Sequence, residues 1–290
     1  MPTRTTPDRW AAAGIWVALL LSPSLFAQPS PEPAPLFDTH LHYNADQSEA
    51  MPPEAILEML ERHGVEHAVV TGTPPETVDG LARLAPDRIV PFLGAYQSRA
   101  DKTNWMDQPG LPDRMERQLD TGNYRGIGEL HVVGRDNDSP VLERVVEIAA
   151  ERDLVLSIHG DLAVIDRIFA IDPRARVLWA HLGTDPDPTV LRAALARHPH
   201  GLFIDTSVRD ARLLDDAGKL LPSWRALFVD HPNRFVIGVD TFSLSRWQRF
   251  GEVTAVIRHW LDQLPPSVAR RIGRDNAREL LLGPLQQDTP

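Results

Sequence analysis

The chain reads as one (β/α)8 TIM barrel, preceded by a signal peptide, and three observations point there. Apolar, β-prone runs alternate with helical patterns over most of its length, the signature of repeated βα units. Eight such runs stand at 37–42, 65–71, 88–95, 124–131, 153–159, 176–181, 201–206 and 234–240. Parallel strands need crossovers, and a ring of eight has no open edge. Finally, side chains able to bind a metal close the first, fourth, fifth, sixth and eighth runs. Ring closure brings those ends together at the C-terminal mouth of a barrel, whereas a doubly wound open sheet holds them apart.

The N-terminal stretch has its own pattern. Arg4 and Arg9 precede an uncharged apolar run at 10–21, followed by Ser22-Pro23-Ser24-Leu25-Phe26-Ala27. This predicts a signal peptide over 1–27, with export to the periplasm or medium; a retained hydrophobic anchor is the alternative. This stretch has no Arg-Arg pair, which favours the general secretory route over a twin-arginine one. Four prolines in 28–36 read as a linker, the barrel is expected over 37–283, and 284–290 form a polar tail. After cleavage no stable membrane association is expected.

Composition bounds the rest. At 42% hydrophobic and 24% charged the chain is ordinary globular material. Its formal net charge of −10 argues against a nucleic-acid partner, because affinity for phosphate backbones rests on Lys and Arg. A small-molecule substrate is expected instead, and the oligomeric state is left open. With no cysteine, a lipid-modified anchor, a disulfide framework and a thiol nucleophile are excluded.

The first run, Phe-Asp-Thr-His-Leu-His, ends in His40 and His42. Residues i and i+2 of a strand share a face, so both rings can grip one cation. Helical periodicity follows at 53–63, stopped by Gly64. After the third run comes a long connection, 96–123, with Trp105 and Met106 and a helix over 111–119; such loops are candidate lids or substrate walls. The fourth run, Gly-Ile-Gly-Glu-Leu-His, supplies Glu129 between apolar neighbours, with His131 on the same face and so able to line a pocket or to pack. A helix over 139–152 leads to Leu-Ser-Ile-His-Gly and His159. Trp-Ala-His-Leu-Gly brings His181, 22 residues on, about one βα unit, and a helix is expected over 187–198. The seventh run opens a second long connection, 207–233, with Arg209, a candidate clamp for an anionic substrate group, and a helix over 224–229. Ile-Gly-Val-Asp-Thr ends the eighth run with Asp240, an acid costly to bury unless paired or bound to a cation. His63, His67, His198, His200, His231 and His259 fall in helix ends, turns or strand starts and carry no such signal. Histidine and carboxylate ligands without cysteine suit zinc or a similar divalent metal.

These segments resemble the amidohydrolase superfamily, and within it the amidohydrolase-related branch of metal-dependent TIM-barrel hydrolases, over 37–281. The resemblance rests on the His-X-His ending of strand one, the histidines ending strands five and six, and the aspartate ending strand eight. Arg274-Asp275-Asn276-Ala277-Arg278-Glu279-Leu280-Leu281 is similar to the family's closing helix. At strand four the chain departs from members with a carboxylated lysine and carries Glu129, as some binuclear members do. The resemblance implies hydrolysis of an amide, ester or lactone by metal-activated water, with Asp240 as general base and then acid. In a two-ion site His40, His42 and Asp240 would hold one ion, His159 and His181 the other, and Glu129 would bridge. In a one-ion site His181 would polarise the substrate carbonyl. Competing readings are a lactonase or decarboxylase of the same superfamily, a TatD-like nuclease, and a noncatalytic exported binding protein. No phosphate loop, dinucleotide fingerprint or serine-hydrolase elbow is present.

Overall fold

The computed structural model describes residues 1, 3, 34–132 and 138–283. The signal peptide, most of the linker and the polar tail therefore lie outside the described residues. From Ala34 onward the chain forms one unit, with eight parallel strands in sequential order: β1 (Leu36–His42), β2 (Val65–Thr71), β3 (Ile89–Leu93), β4 (Gly126–His131), β5 (Val155–His159), β6 (Arg176–Trp179), β7 (Leu202–Asp205) and β8 (Phe235–Val236). Leu36, expected in the linker, already belongs to β1. The ring meets at a seam between β8 and β1. Asp38 bridges to Ile237, the Thr39 amide and hydroxyl donate to the Ile237 carbonyl at 2.9 Å each, and the Asp240 amide donates to the His40 carbonyl at 2.7 Å.

Helices fill the crossovers: α1 (Ala45–Ala50) and α2 (Pro53–Arg62), α3 (Thr77–Leu84), α4 (Leu111–Thr121), α5 (Pro140–Glu151), α6 (Leu162–Ile171), α7 (Pro188–Arg197) and α8 (Pro222–Asp230). Each starts or stops for a local reason. α2 has Pro53 at its first position and ends before Gly64, whose φ is +63°. Ser139 caps α5 by accepting from the Val141 and Leu142 amides, a contact worth about 1 kcal/mol. Asp161 and Asp187 do the same for α6 and α7. The helices lay apolar stripes such as Ile56 and Leu60, or Val145 and Ile148, on the strands.

A second apolar cluster joins Phe37, Val69, Val90, Phe92, Val155, Leu178 and Val236 from the strands to Ala277, Leu280 and Leu281 of the last helix. After β8 come α9 (Leu244–Gln248), α10 (Phe250–Leu261), α11 (Pro266–Arg270) and that closing helix, α12 (Asn276–Leu282). Asn276 anchors it by donating to the Pro232 and Phe235 carbonyls, both at 2.8 Å. No helix among the described residues is long and apolar enough to cross a membrane.

Four strands end earlier than the sequence suggests: β3 and β7 by one or two residues, at Leu93 and Asp205, and β6 and β8 short of their site residues. The sixth and eighth runs were expected to reach His181 and Asp240, but β6 stops at Trp179 and β8 at Val236. His181 (φ +64°) and Asp240 (φ +58°) take left-handed backbone conformations, which cannot continue a strand. Both residues thus sit just beyond their strands on tight turns, a placement that costs of order 1–3 kcal/mol each and is characteristic of functional sites.

Candidate metal centre

The strands that carry His40 and Glu129 are irregular where the polar residues sit. The pairing of β1 with β2 shifts between Asp38 and Leu41, and that of β4 with β5 shifts between Ile127 and Leu130. Such irregularities re-aim side chains beside active sites. In β4 the shift needs Gly128: its φ is +130°, and a Cβ there would lie 2.4 Å from the Ser157 carbonyl.

Six of the predicted residues converge. His40 and His42 Nε2 are 3.3 Å apart. His42 Nε2 lies 3.4 Å from Glu129 Oε2 and 3.3 Å from Asp240 Oδ1. His40 Nε2 lies 3.7 and 3.8 Å from the same two oxygens. The other Glu129 oxygen, Oε1, is 3.0 Å from both His159 Nδ1 and His181 Nε2. Glu129 thus turns Oε1 to His159 and His181, and Oε2 to His40, His42 and, at 3.5 Å, His131. Asp240 reaches across, with Oδ2 3.9 Å from His181 Nε2.

The donor spacing suits a cation. Ligand atoms about 2.0–2.2 Å from a tetrahedral zinc stand roughly 3.3 Å from one another, close to the 3.3–3.4 Å spans around His42. Asp240 Oδ1 is buried and accepts no hydrogen bond, the state expected of an oxygen meant for a metal. The electrostatics agree. Burial pushes Glu129 up, but His131, His40, His159 and His181 outweigh it and hold the carboxyl well below its usual range. Burial also disfavours charge on His40, yet Asp240, Asp205 and Glu129 raise it well above an ordinary histidine. Buried carboxylates that draw protons onto neighbouring rings this strongly will also draw a divalent cation.

Behind these residues lies a layer that the sequence did not disclose. Asp205, the last residue of β7, is fully buried. His40 donates from Nδ1 to Asp205 Oδ2 at 2.9 Å. Asp205 Oδ1 accepts the backbone N–H groups of His181 and Ser207, at 3.0 and 2.9 Å, and the Ser207 hydroxyl. His181 Nδ1 donates in turn to Ser207 Oγ at 2.8 Å. With both Nδ1 atoms engaged, both Nε2 lone pairs face the centre, the tautomer a metal requires. Burial raises Asp205, but His40 and His181 pull it down to about 2. Asp205 ends Leu-Phe-Ile-Asp as Asp240 ends its own apolar run, so the signal that marks Asp240 was present here too. Asp38 is the other buried acid of this layer: it accepts the His40 and Val239 amides at 3.0 and 3.1 Å and fastens the seam.

The remaining predicted residues fall into two groups. Arg209 lines a cavity of about 500 Å³ over the cluster and His131 joins it there, with Arg99, Lys102 and Phe242 on the walls. Arg209 Nε donates to the His181 carbonyl at 3.4 Å. Trp105, expected at the wall of the cavity, is instead wholly buried behind it, with Nε1 donating to the His131 carbonyl at 2.8 Å. An indole with a single polar atom is better placed inside, with that atom bonded, than on a wetted wall. The histidines without a signal stay apart from the site: His67 stacks on Phe37, His198 pairs with Asp166, and His259 meets the Gly218 carbonyl.

Comparison with known proteins places this geometry. The family model described as Amidohydrolase matches residues 37–282. An amidohydrolase from Burkholderia multivorans, solved with HEPES bound, shares the fold at 16% identity and a TM-score of 0.55, covering 86% of this chain and 99% of its own. A proposed 2-pyrone-4,6-dicarboxylic acid hydrolase from Pseudomonas putida does so at 16% identity and a TM-score of 0.56, over 87% and 99%. At such identity the likeness is one of fold. Among curated proteins none matches.

Proposed function

Since the chain belongs to the amidohydrolase family, we propose that it is a metal-dependent hydrolase acting on a small anionic substrate through an amide, ester or lactone carbonyl. The observation that carries this is Asp240: a buried carboxylate whose Oδ1 has no hydrogen-bond donor and lies 3.3 and 3.8 Å from two histidine Nε2 atoms. His40, His42 and Asp240 would hold one divalent ion, zinc or a similar metal. His159 and His181 would face a second, with Glu129 between them. Such an ion supplies Lewis acidity and lowers the pKa of water to about 7.

The chain's own residues do the rest. Asp240 accepts a proton from the attacking water and returns it to the leaving oxygen or nitrogen as the carbonyl bond to that atom breaks. In a one-ion site His181, with Nε2 3.9 Å from Asp240 Oδ2, would instead polarise the substrate carbonyl. Arg209, with Lys102 and Arg99 further out on the same cavity, supplies positive charge for a carboxylate on the substrate. The Pseudomonas putida neighbour is described as acting on a dicarboxylic acid that is also a lactone, and carboxylated lactones are the first compounds to try.

The test is a panel of carboxylated lactones, esters and amides, with nucleic acid as a control, assayed on chelator-stripped protein and after zinc return. Hydrolysis that vanishes on stripping and recovers with metal is the expected result. Turnover indifferent to stripping, or seen with nucleic acid alone, would overturn the proposal.

A further inference from the structure

We infer that His131 is itself a metal ligand, completing with Glu129 and His159 a second ion site that shares Glu129 with the His40–His42 site. This rests on the metal-dependent reading above and goes beyond it, because that reading assigns the second ion only to His159, His181 and the bridging carboxylate.

Three independent features of the structure meet at His131. The first is spacing. One donor atom from each of Glu129, His131 and His159 lies within 4.8 Å of the others, the same closeness found for His40, His42 and Glu129. His131 Nε2 stands 3.5 Å from Glu129 Oε2, and His159 Nδ1 stands 3.0 Å from Oε1. The 3.5 Å gap is long for an N–H···O bond. It is close to the roughly 3.3 Å between two ligands of one tetrahedral zinc.

The second feature is the hold on the ring. The hydroxyl of Tyr96, a buried residue that lines the cavity, accepts the His131 backbone N–H at 2.8 Å and lies 3.2 Å from its Nδ1. Trp105 holds the carbonyl of the same residue. In the tautomer whose Nδ1–H donates to that hydroxyl, the Nε2 lone pair is left for a cation beside the carboxylate. A ring fixed at its outer nitrogen by a buried partner is the usual condition of a metal-bound histidine.

The third feature is the neighbour. The His131 and His159 rings stack with centroids 4.5 Å apart and planes within 22° of each other, so the two donors lie side by side. His159 is the more exposed, its side chain 37% accessible, which leaves room for water or substrate on that side. The first connection, 96–123, thereby braces this ring through Tyr96 and Trp105 and also walls the cavity, through Tyr96, Arg99 and Lys102.

The test is metal stoichiometry by mass spectrometry on purified full chain loaded with excess zinc, paired with a cobalt titration followed by visible absorption. Wild type should take up close to two equivalents. His131→Ala should take up close to one, with the absorption of one cobalt site lost and the other unchanged. Tyr96→Phe keeps the ring but removes its brace, and should weaken only the weaker site, by about 10–100-fold. Circular dichroism checks folding; if His131→Ala unfolds, Tyr96→Phe decides, and unchanged affinities there would overturn the inference. Two full-affinity equivalents in His131→Ala would overturn it as well. Saturation of the wild type at one equivalent would also sink it, while leaving one-metal hydrolysis standing. A wild type that takes up no metal at all would remove both.

Discussion

The histidines at the mouth of the barrel are held in two different ways. His40 and His181 lean on the end of β7 and the residues just past it, where the fully buried Asp205 carboxylate and the Ser207 hydroxyl fix their Nδ1 atoms. His131 leans on the connection after β3, where a phenol and an indole do the fixing and neither is charged. Beyond its bond to Glu129, the His159 ring has, among the described residues, ring contacts with His131 and His181. A charged anchor makes the ring it holds more basic and a better ligand, and a strand holds it more rigidly than a loop. On the proposed reading, the His40 side would be the tighter half of the centre. The His131 side is the softer half, the one nearer the substrate cavity.

The largest expected effect bears on what both halves share. Asp240→Asn should keep the fold and most of the metal but lower turnover by about 10²–10⁴-fold, since an amide cannot accept the proton of water. Steady-state kinetics on protein of measured metal content checks this, and wild-type turnover from a fully loaded variant would take Asp240 out of the chemistry. Next comes the anchor itself. Asp205→Asn should weaken metal at the tighter site by about 10–100-fold, and more than Tyr96→Phe weakens the other. Equal losses in competitive chelator titrations would erase the distinction between charged and neutral anchors.

The smallest effect sharpens the comparison through a second buried aspartate, five positions beyond Asp205. One Asp210 oxygen accepts from Trp260 Nε1 at 3.1 Å and the other has no partner. Burial raises its pKa to about 7, and Trp260 and Arg246 only partly offset this. Here the folded chain keeps a proton that the unfolded chain, with a pKa of about 3.9, releases. Asp210 thus costs the fold nothing below pH 4 and increasingly more as pH rises to about 7, where the penalty levels off. Asp210→Asn should raise stability at pH 8 by about 1 kcal/mol, with about 4 as the ceiling set by that shift, and leave pH 4 nearly unchanged. Urea unfolding at both values checks the sign. Asp205, equally buried but held low by His40 and His181, should show no such gain on replacement by Asn.

What was legible in the sequence follows the same division. Strand ends were readable because a polar residue closing an apolar run is conspicuous, and His40, His42, Glu129, His159, His181 and Asp240 were all found in that way. The barrel was readable for a related reason, since its strands are continuous apolar runs. Strand lengths were not, because left-handed turns at His181 and Asp240 leave no mark on composition. Tyr96 was invisible: its role depends on a loop folding back against β4, and an isolated tyrosine after a strand has no periodicity. Trp105 was noticed for its size and placed on the wrong side of the wall, since a sequence gives the length of a connection but not the direction in which it packs.

The seam between β8 and β1 has a consequence for the life of the chain before it does any chemistry. The contacts that close it join residues about 200 positions apart, such as Thr39 with Ile237 and Asp38 with Val239, and they are the same contacts that bring Asp240 to His40. Contacts of such separation are the last to be worth their loop-closure entropy. A growing chain therefore has no working centre until its final strand is in place, and a chain arrested short of β8 displays histidines without the acid that would make them reactive. Competence arrives all at once, at the end of folding. Tight metal uptake would thus report a finished barrel.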